Sequence, residues 1–79
     1  MSNEDSSQLR LDVCADINYE KLVVNICSNE FRVLTLNCDN GLENTRIEIY
    51  NDQNEMIWNV PYHDFIKYFK EAFSILKEE

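Results

Sequence analysis

The sequence predicts an α+β fold: a four-stranded antiparallel β-meander, with an extra N-terminal edge strand as a candidate fifth, packed against one C-terminal amphipathic helix. Three observations predict it. Apolar residues alternate with period two over residues 9–60, turn-forming clusters interrupt that alternation, and from Tyr62 onward the period becomes helical.

Residues 1–8 are polar and acidic and are expected to be a disordered tail, leaving 9–79 as a single α+β domain. Leu9, Leu11 and Val13 alternate with Arg10 and Asp12, which suits a short edge strand. Leu22, Val24 and Ile26 form the next alternating set. After the polar break Ser28-Asn29-Glu30 comes a run over 31–38, then Asp39-Asn40-Gly41. Two further runs, 45–50 and 55–60, are separated by Asn51-Asp52-Gln53-Asn54. A type I′ turn at Asn40-Gly41 predicts the pairs Leu34–Ile47 and Leu36–Thr45. The loop over 51–54 predicts Ile49–Met56, Ile47–Trp58 and Thr45–Val60. Both turns place these residues on one face, and a slip of one residue would send them to the other.

The last segment is entered through Pro61. Tyr62, Phe65, Ile66, Phe69, Ala72, Phe73 and Leu76 occupy a helical stripe roughly 120° wide at 100° per residue. Asp64 in the first turn and Lys77 in the last suit the helix dipole. The stripe is expected to cover the inner face of the sheet, where each large side chain contributes about 1.5–3 kcal/mol when fully buried. Tyr68 and Ile75 form a smaller ridge beside it.

On the predicted register the outer face carries Val33, Glu48 and Ile57 in one row, and Phe31, Tyr50 and Glu55, with Cys27 nearby, in a second. A third holds Thr35, Arg46 and Asn59. A wetted face should be cleanly polar. Phe31, Val33, Tyr50 and Ile57 would instead make an apolar-aromatic patch rimmed by carboxylates. Either the strand over 9–13 folds across it, or its aromatics serve cross-strand pairing, or it is a contact surface for another protein or a second copy of this chain.

Seventy-nine residues support one domain and a small core, so a large substrate cleft is not expected. The N-terminus lacks the basic and apolar regions of a signal peptide, and no apolar run reaches the ~18 residues of a membrane span. Cys14, Cys27 and Cys38 are odd in number and widely spaced, which reads as reduced thiols in a cytoplasm rather than a disulfide framework.

Catalytic chemistry finds little to stand on. His63 is the one histidine, and Asp64 beside it does not share its helix face. Any nucleophile such as Cys14 would have to be brought to His63 by the fold. Three scattered thiols and one imidazole do not make a zinc site. Asp39, Asn40, Glu43 and Asn44 lack the spacing of a calcium loop, and no phosphate-binding glycine motif is present. The expectation is a non-enzyme without metal or cofactor.

The ββββα order resembles, in topology, the PUR repeats and the positive-cofactor type of single-strand-binding coactivator. That resemblance implies aromatics and basic residues on the exposed sheet. Here Phe31 and Tyr50 have only Arg46 as a cation beside them, against Glu48 and Glu55, whereas base stacking needs a basic groove alongside.

Charge is the more informative signal. Fifteen acidic against seven basic residues give −8, and phosphate contacts need Lys or Arg. The acidity lies on the tail, the sheet and its turns, while residues 65–79 balance three Lys against three Glu. Such a field selects a basic partner and speeds its association. The function expected is therefore a small acidic protein inhibitor that binds a basic nucleic-acid-handling protein or nuclease, by nucleic-acid mimicry or steric occlusion. A phage anti-defence protein of the anti-CRISPR kind, acting in a host cytoplasm, fits that profile. Asp39, Glu43, Glu48, Asp52 and Glu55 would supply charge, and Phe31, Val33, Tyr50 and Ile57 the apolar anchors. The alternatives are an immunity or antitoxin-like protein that neutralises a basic toxin, and an oligomeric ββββα module for single-stranded nucleic acid. No membrane contact is expected, and a homodimer is compatible with the pattern.

Overall fold

Residues 8–78 are described in a computed structural model of the chain. The acidic tail expected over 1–8 lies, apart from Gln8, outside them. Five strands follow in order: β1 (Leu9–Cys14), β2 (Val23–Ser28), β3 (Phe31–Asn37), β4 (Arg46–Tyr50) and β5 (Met56–Pro61). They form one antiparallel sheet in the order β1-β2-β3-β4-β5, and one helix, α1 (Tyr62–Lys77), follows. The fold is α+β, with the candidate N-terminal edge strand present as a fifth. β1 does not cross the outer face; it pairs edge-on with β2, from Leu9 opposite Ser28 to Cys14 opposite Val23.

The register differs from the predicted one by two residues, which keeps Leu34, Leu36, Ile47, Ile49, Trp58 and Val60 on their expected face. Leu34 pairs with Ile49 and Leu36 with Ile47, then Ile49 pairs with Trp58 and Ile47 with Val60. Between β4 and β5 the shift comes from the 51–55 loop and the irregularity after Ile49; between β3 and β4 the cause is their connection. It is not a two-residue type I′ turn but a longer loop containing a short 3₁₀ turn, Leu42–Asn44. Gly41 stands at φ 99°, ψ 154°, a conformation that side chains rarely adopt.

Two bulges alter the outer face. Ile26 pairs with Leu34 but Cys27 with Arg32, which leaves Val33 unpaired; Ile49 pairs with Trp58 but Tyr50 with Met56, which leaves Ile57 unpaired. The row predicted from Val33, Glu48 and Ile57 is therefore absent. Asp12, Asn25, Thr35, Glu48 and Asn59 stand across the sheet in its place. Arg32 reaches Thr35, three residues on, and both lie on one side, as the extra residue between them requires.

The helix departs furthest from expectation. No residue of α1 is buried, and it meets chiefly β5 and the 3₁₀ turn. Tyr62, Phe65 and Ile66 are half-buried, while Phe69, Phe73 and Leu76 stay 60%, 63% and 68% exposed. The physical reason is the junction. β5 ends at Pro61 and α1 starts at Tyr62 with nothing between. Strand-to-helix reversals ordinarily take about 2–6 loop residues. Tyr62 N–H still donates to the Thr45 carbonyl at 2.9 Å, so the sheet ladder runs into the first residue of the helix. Without a turn the stripe is not folded back over its own sheet.

Candidate functional site

The two faces of the sheet have exchanged their usual environments. One face is apolar: Leu11, Ile26, Leu34, Ile49 and Trp58 stand in one row, and Val13, Val24, Leu36, Ile47 and Val60 in the next. Only Ile47 among these ten is buried, and Leu11, Val13 and Trp58 are more than 60% exposed. The opposite face is polar and buried. Thr35, Asn37 and Glu48 are 0%, 8% and 6% exposed.

The cover on the polar side is the β1–β2 loop, residues 15–22. Asp16 starts it as a turn, its carboxylate accepting the Asn18 N–H at 2.8 Å and its carbonyl the Tyr19 N–H at 3.0 Å. The Asp39 carboxylate holds the far end by accepting the N–H groups of Glu20 and Lys21 at 3.1 and 3.0 Å. So anchored, the loop lays Tyr19 over β4, where its hydroxyl donates to Glu48 Oε1.

Glu48 collects two more donors. Asn37 Nδ2 reaches Oε2 at 2.7 Å, and the Tyr50 hydroxyl reaches Oε1 at 3.2 Å. A buried carboxylate is costly unless its oxygens are satisfied, and three donors do that here. The network pushes the Tyr19 phenol well above its ordinary range, chiefly through burial and then through the hydrogen bond and charge of Glu48. Toward the other end, Arg32 lies 3.6 Å over the Tyr50 ring and donates to Thr35 Oγ1 at 3.2 Å and Asn54 Oδ1 at 3.1 Å. Cys27 is raised as well, by burial first and then by its contact with the Asp12 carboxylate at 3.5 Å. Both arginines of the inner strands are engaged, because Arg46 holds the Asn59 side chain at 2.7 Å and its carbonyl at 3.0 Å.

No family model, no curated protein and no solved structure matches this chain. The reading of the site therefore rests on its own geometry.

The expected partner-binding residues are divided by that geometry. Glu48 is buried and its carboxylate spent on three donors, so it is not an outward charge. Tyr50 is half-buried under Arg32, and Asp39 holds down the β1–β2 loop. Val33 is half-buried at its bulge. Phe31 and Ile57 are 54% and 52% exposed, and Glu43, Asp52 and Glu55 are exposed too. Phe31 and Asp52 share the rim of a hollow of about 270 Å³ where the β2–β3 and β4–β5 turns meet. Glu43 sits at the opposite end of the sheet, on the 3₁₀ turn.

Cys14 and His63 belong to opposite edges, since β1 and β5 are the outer strands. His63 instead ties the helix start to the 3₁₀ turn, with Nε2 3.2 Å from the Leu42 carbonyl. Among the described residues no group of three His, Cys, Asp or Glu could hold a metal ion. Nor, among those residues, is any helix long and apolar enough to cross a membrane. Sequence reasoning missed the Tyr19–Glu48–Asn37 network. Alternation around Ile47 and Ile49 assigns Glu48 to the polar face, but nothing local to Tyr19 announces that a loop will cover it.

Proposed function

We propose that this chain is a small non-enzymatic inhibitor that binds a basic, nucleic-acid-handling protein, occupying or occluding the surface where that partner takes phosphates. Anti-defence action of a phage product, of the anti-CRISPR kind, is the setting this reading favours. One observation carries it: among the described residues every exposed carboxylate but that of Asp12 is left without a cationic partner. Among the described residues the one ion pair is Arg10–Asp12 at 3.6 Å. Glu20, Glu30, Glu43, Asp52 and Asp64 are exposed and unpaired, and Glu55 meets only the Asn51 amide. Glu30, Asp52 and Glu55 gather at one end of the sheet, with Phe31 among them; Glu20, Glu43 and Asp64 stand toward the other. A chain that neutralised its own acids would lose the long-range field that steers a basic partner. This one keeps it.

The test is a binding titration against basic nucleases and nucleic-acid-binding proteins at rising salt, with DNA as competitor. Affinity should fall steeply with ionic strength, and DNA and this chain should exclude one another. Replacing Glu30, Asp52 and Glu55 together by amides should slow association at least several-fold. Salt-independent binding, or a ternary complex with DNA, would refute the phosphate-surface reading. A tight, salt-sensitive gel shift with single-stranded DNA itself would favour the nucleic-acid module instead.

A further inference from the structure

We infer that the bare apolar sheet face is covered by a second copy of this chain, through reciprocal exchange of α1: each helix lays its stripe across the sheet of its partner. The chain makes two apolar surfaces and covers each only in part. On the sheet, Leu9, Leu11, Val13 and Trp58 keep 63% to 67% exposure. On the helix, Phe69, Phe73 and Leu76 keep 60% to 68%. A single apolar side chain on a surface means little; two contiguous sets of this kind mean a partner.

Four observations name that partner as another copy. The first is the β5–α1 junction, which has no turn and so leaves the stripe displaced from its own sheet. A short hinge of this kind is where an element passes to a neighbouring copy. The second is size. Sixteen helical residues span about 24 Å, and five strands about 19 Å from edge to edge, so one helix crosses one sheet. The third is area. Face and stripe, with aromatics of about 150–250 Å² each, amount to on the order of 1,000 Å² per copy, above the ~800 Å² per partner of a stable interface. The fourth is charge. No charged residue belongs to the two apolar rows or to the stripe. Residues 62–77 carry Lys67, Lys70 and Lys77 against Asp64 and Glu71, so in a chain of net charge −8 the exchanged element is itself net positive and is not repelled by an acidic copy.

The face also has a receptacle. Leu22, Val24, Leu36, Leu42 and Tyr62 line an open, apolar hollow of about 430 Å³. It is large enough for an aromatic side chain from the partner's stripe. Sheet-on-sheet stacking would leave both helical stripes in water, whereas exchange covers both surfaces of both copies at once. This inference is independent of which protein the acidic ends bind.

Sedimentation equilibrium on the full chain should give about twice the 9.4 kDa chain mass; a monomer at micromolar concentration overturns the inference. In a mixed sample of isotope-labelled and unlabelled chains, intermolecular NOEs should link the Phe69 and Phe73 rings to methyls of Leu11, Leu34 and Ile49. A dimer whose intermolecular NOEs run only from sheet to sheet overturns the exchange. Inserting four Gly and Ser residues between Pro61 and Tyr62 should let each helix close on its own sheet and convert the dimer to a monomer. A dimer that survives the insertion overturns it as well.

Discussion

Replacing Glu48 by Ala tests whether the polar face is a structural element rather than a charged one. Its side chain is 6% exposed and serves as acceptor for Asn37, Tyr19 and Tyr50. Truncation strands three donors at once. Each buried donor left without an acceptor costs about 1–3 kcal/mol. Tyr19 lies on a surface loop and can turn its hydroxyl to water, so the net loss should be about 3–5 kcal/mol. Glu48→Gln is the milder perturbation. It keeps Oε1 for the two phenols but sets an NH₂ group against Asn37 Nδ2. Asn37 can rotate its amide only by giving up the weak Asp39 N–H bond at 3.4 Å. That variant should lose about 1–2 kcal/mol. Urea denaturation at one fixed protein concentration measures both, through the shift in midpoint at constant slope. If Glu48→Ala lies within about 0.5 kcal/mol of the parent, the value typical of ordinary surface changes, the buried network is refuted.

Alkaline stability follows from the raised Tyr19 and Cys27. Folding favours the protonated form of each, so their contribution is whole below the ordinary thiol and phenol values and is lost as pH rises through and above them. Melting temperature should hold to about pH 9 and then fall, less steeply in Tyr19→Phe; a flat profile to pH 11 refutes the assignment. Gly41→Ala should cost about 1–3 kcal/mol by backbone strain alone, since a Cβ there meets nothing within 4 Å. Denaturant midpoints check it, and an unchanged midpoint would mean the loop relaxes freely. Arg32→Met removes the stack on Tyr50 and two hydrogen bonds and should cost about 1–2 kcal/mol. Near-ultraviolet circular dichroism should also report a changed tyrosine environment.

The strands and the helix were legible because periodicity is a local signal. β1 to β5 and α1 fall where alternation and the change of period put them. The apolar rows also kept their face, because a register error of two residues does not alter side-chain parity. The long β3–β4 loop was hidden by Asn40-Gly41, whose hairpin signal is real only when strands flank it directly. The bulges at Val33 and Ile57 were hidden as well, since an unpaired residue looks like its neighbours in sequence. Glu48 is the instructive case. Composition makes it one more acid on an acidic sheet, and only the Asp39 clamp and Tyr19, about thirty residues upstream, turn it inward. Where the helix points was legible in principle. Pro61 and Tyr62 leave no residues for a reversal, but amphipathicity shows which side of a helix seeks cover, not whose surface provides it.

A concentration series decides whether that cover comes from another copy. Among the described residues of one chain the buried apolar ones are Val23, Cys27 and Ile47, beside three buried polar ones. Ordering each backbone residue costs about 1–2 kcal/mol, and so few buried side chains leave the fold short of apolar burial. The shortfall is made up when the Phe69–Phe73–Leu76 stripe and the Leu11–Trp58 row leave water together. If they do so between copies, association and folding are one equilibrium, and stability rises with concentration. A hundredfold increase contributes about 2.7 kcal/mol per dimer. For two chains unfolding together that raises the melting temperature by about 5–10 °C. Thermal melts at two concentrations a hundredfold apart, about 1 and 100 µM, read this directly. A midpoint that does not move would mean the single chain carries its own stability, and the exchanged helix would have no part in it.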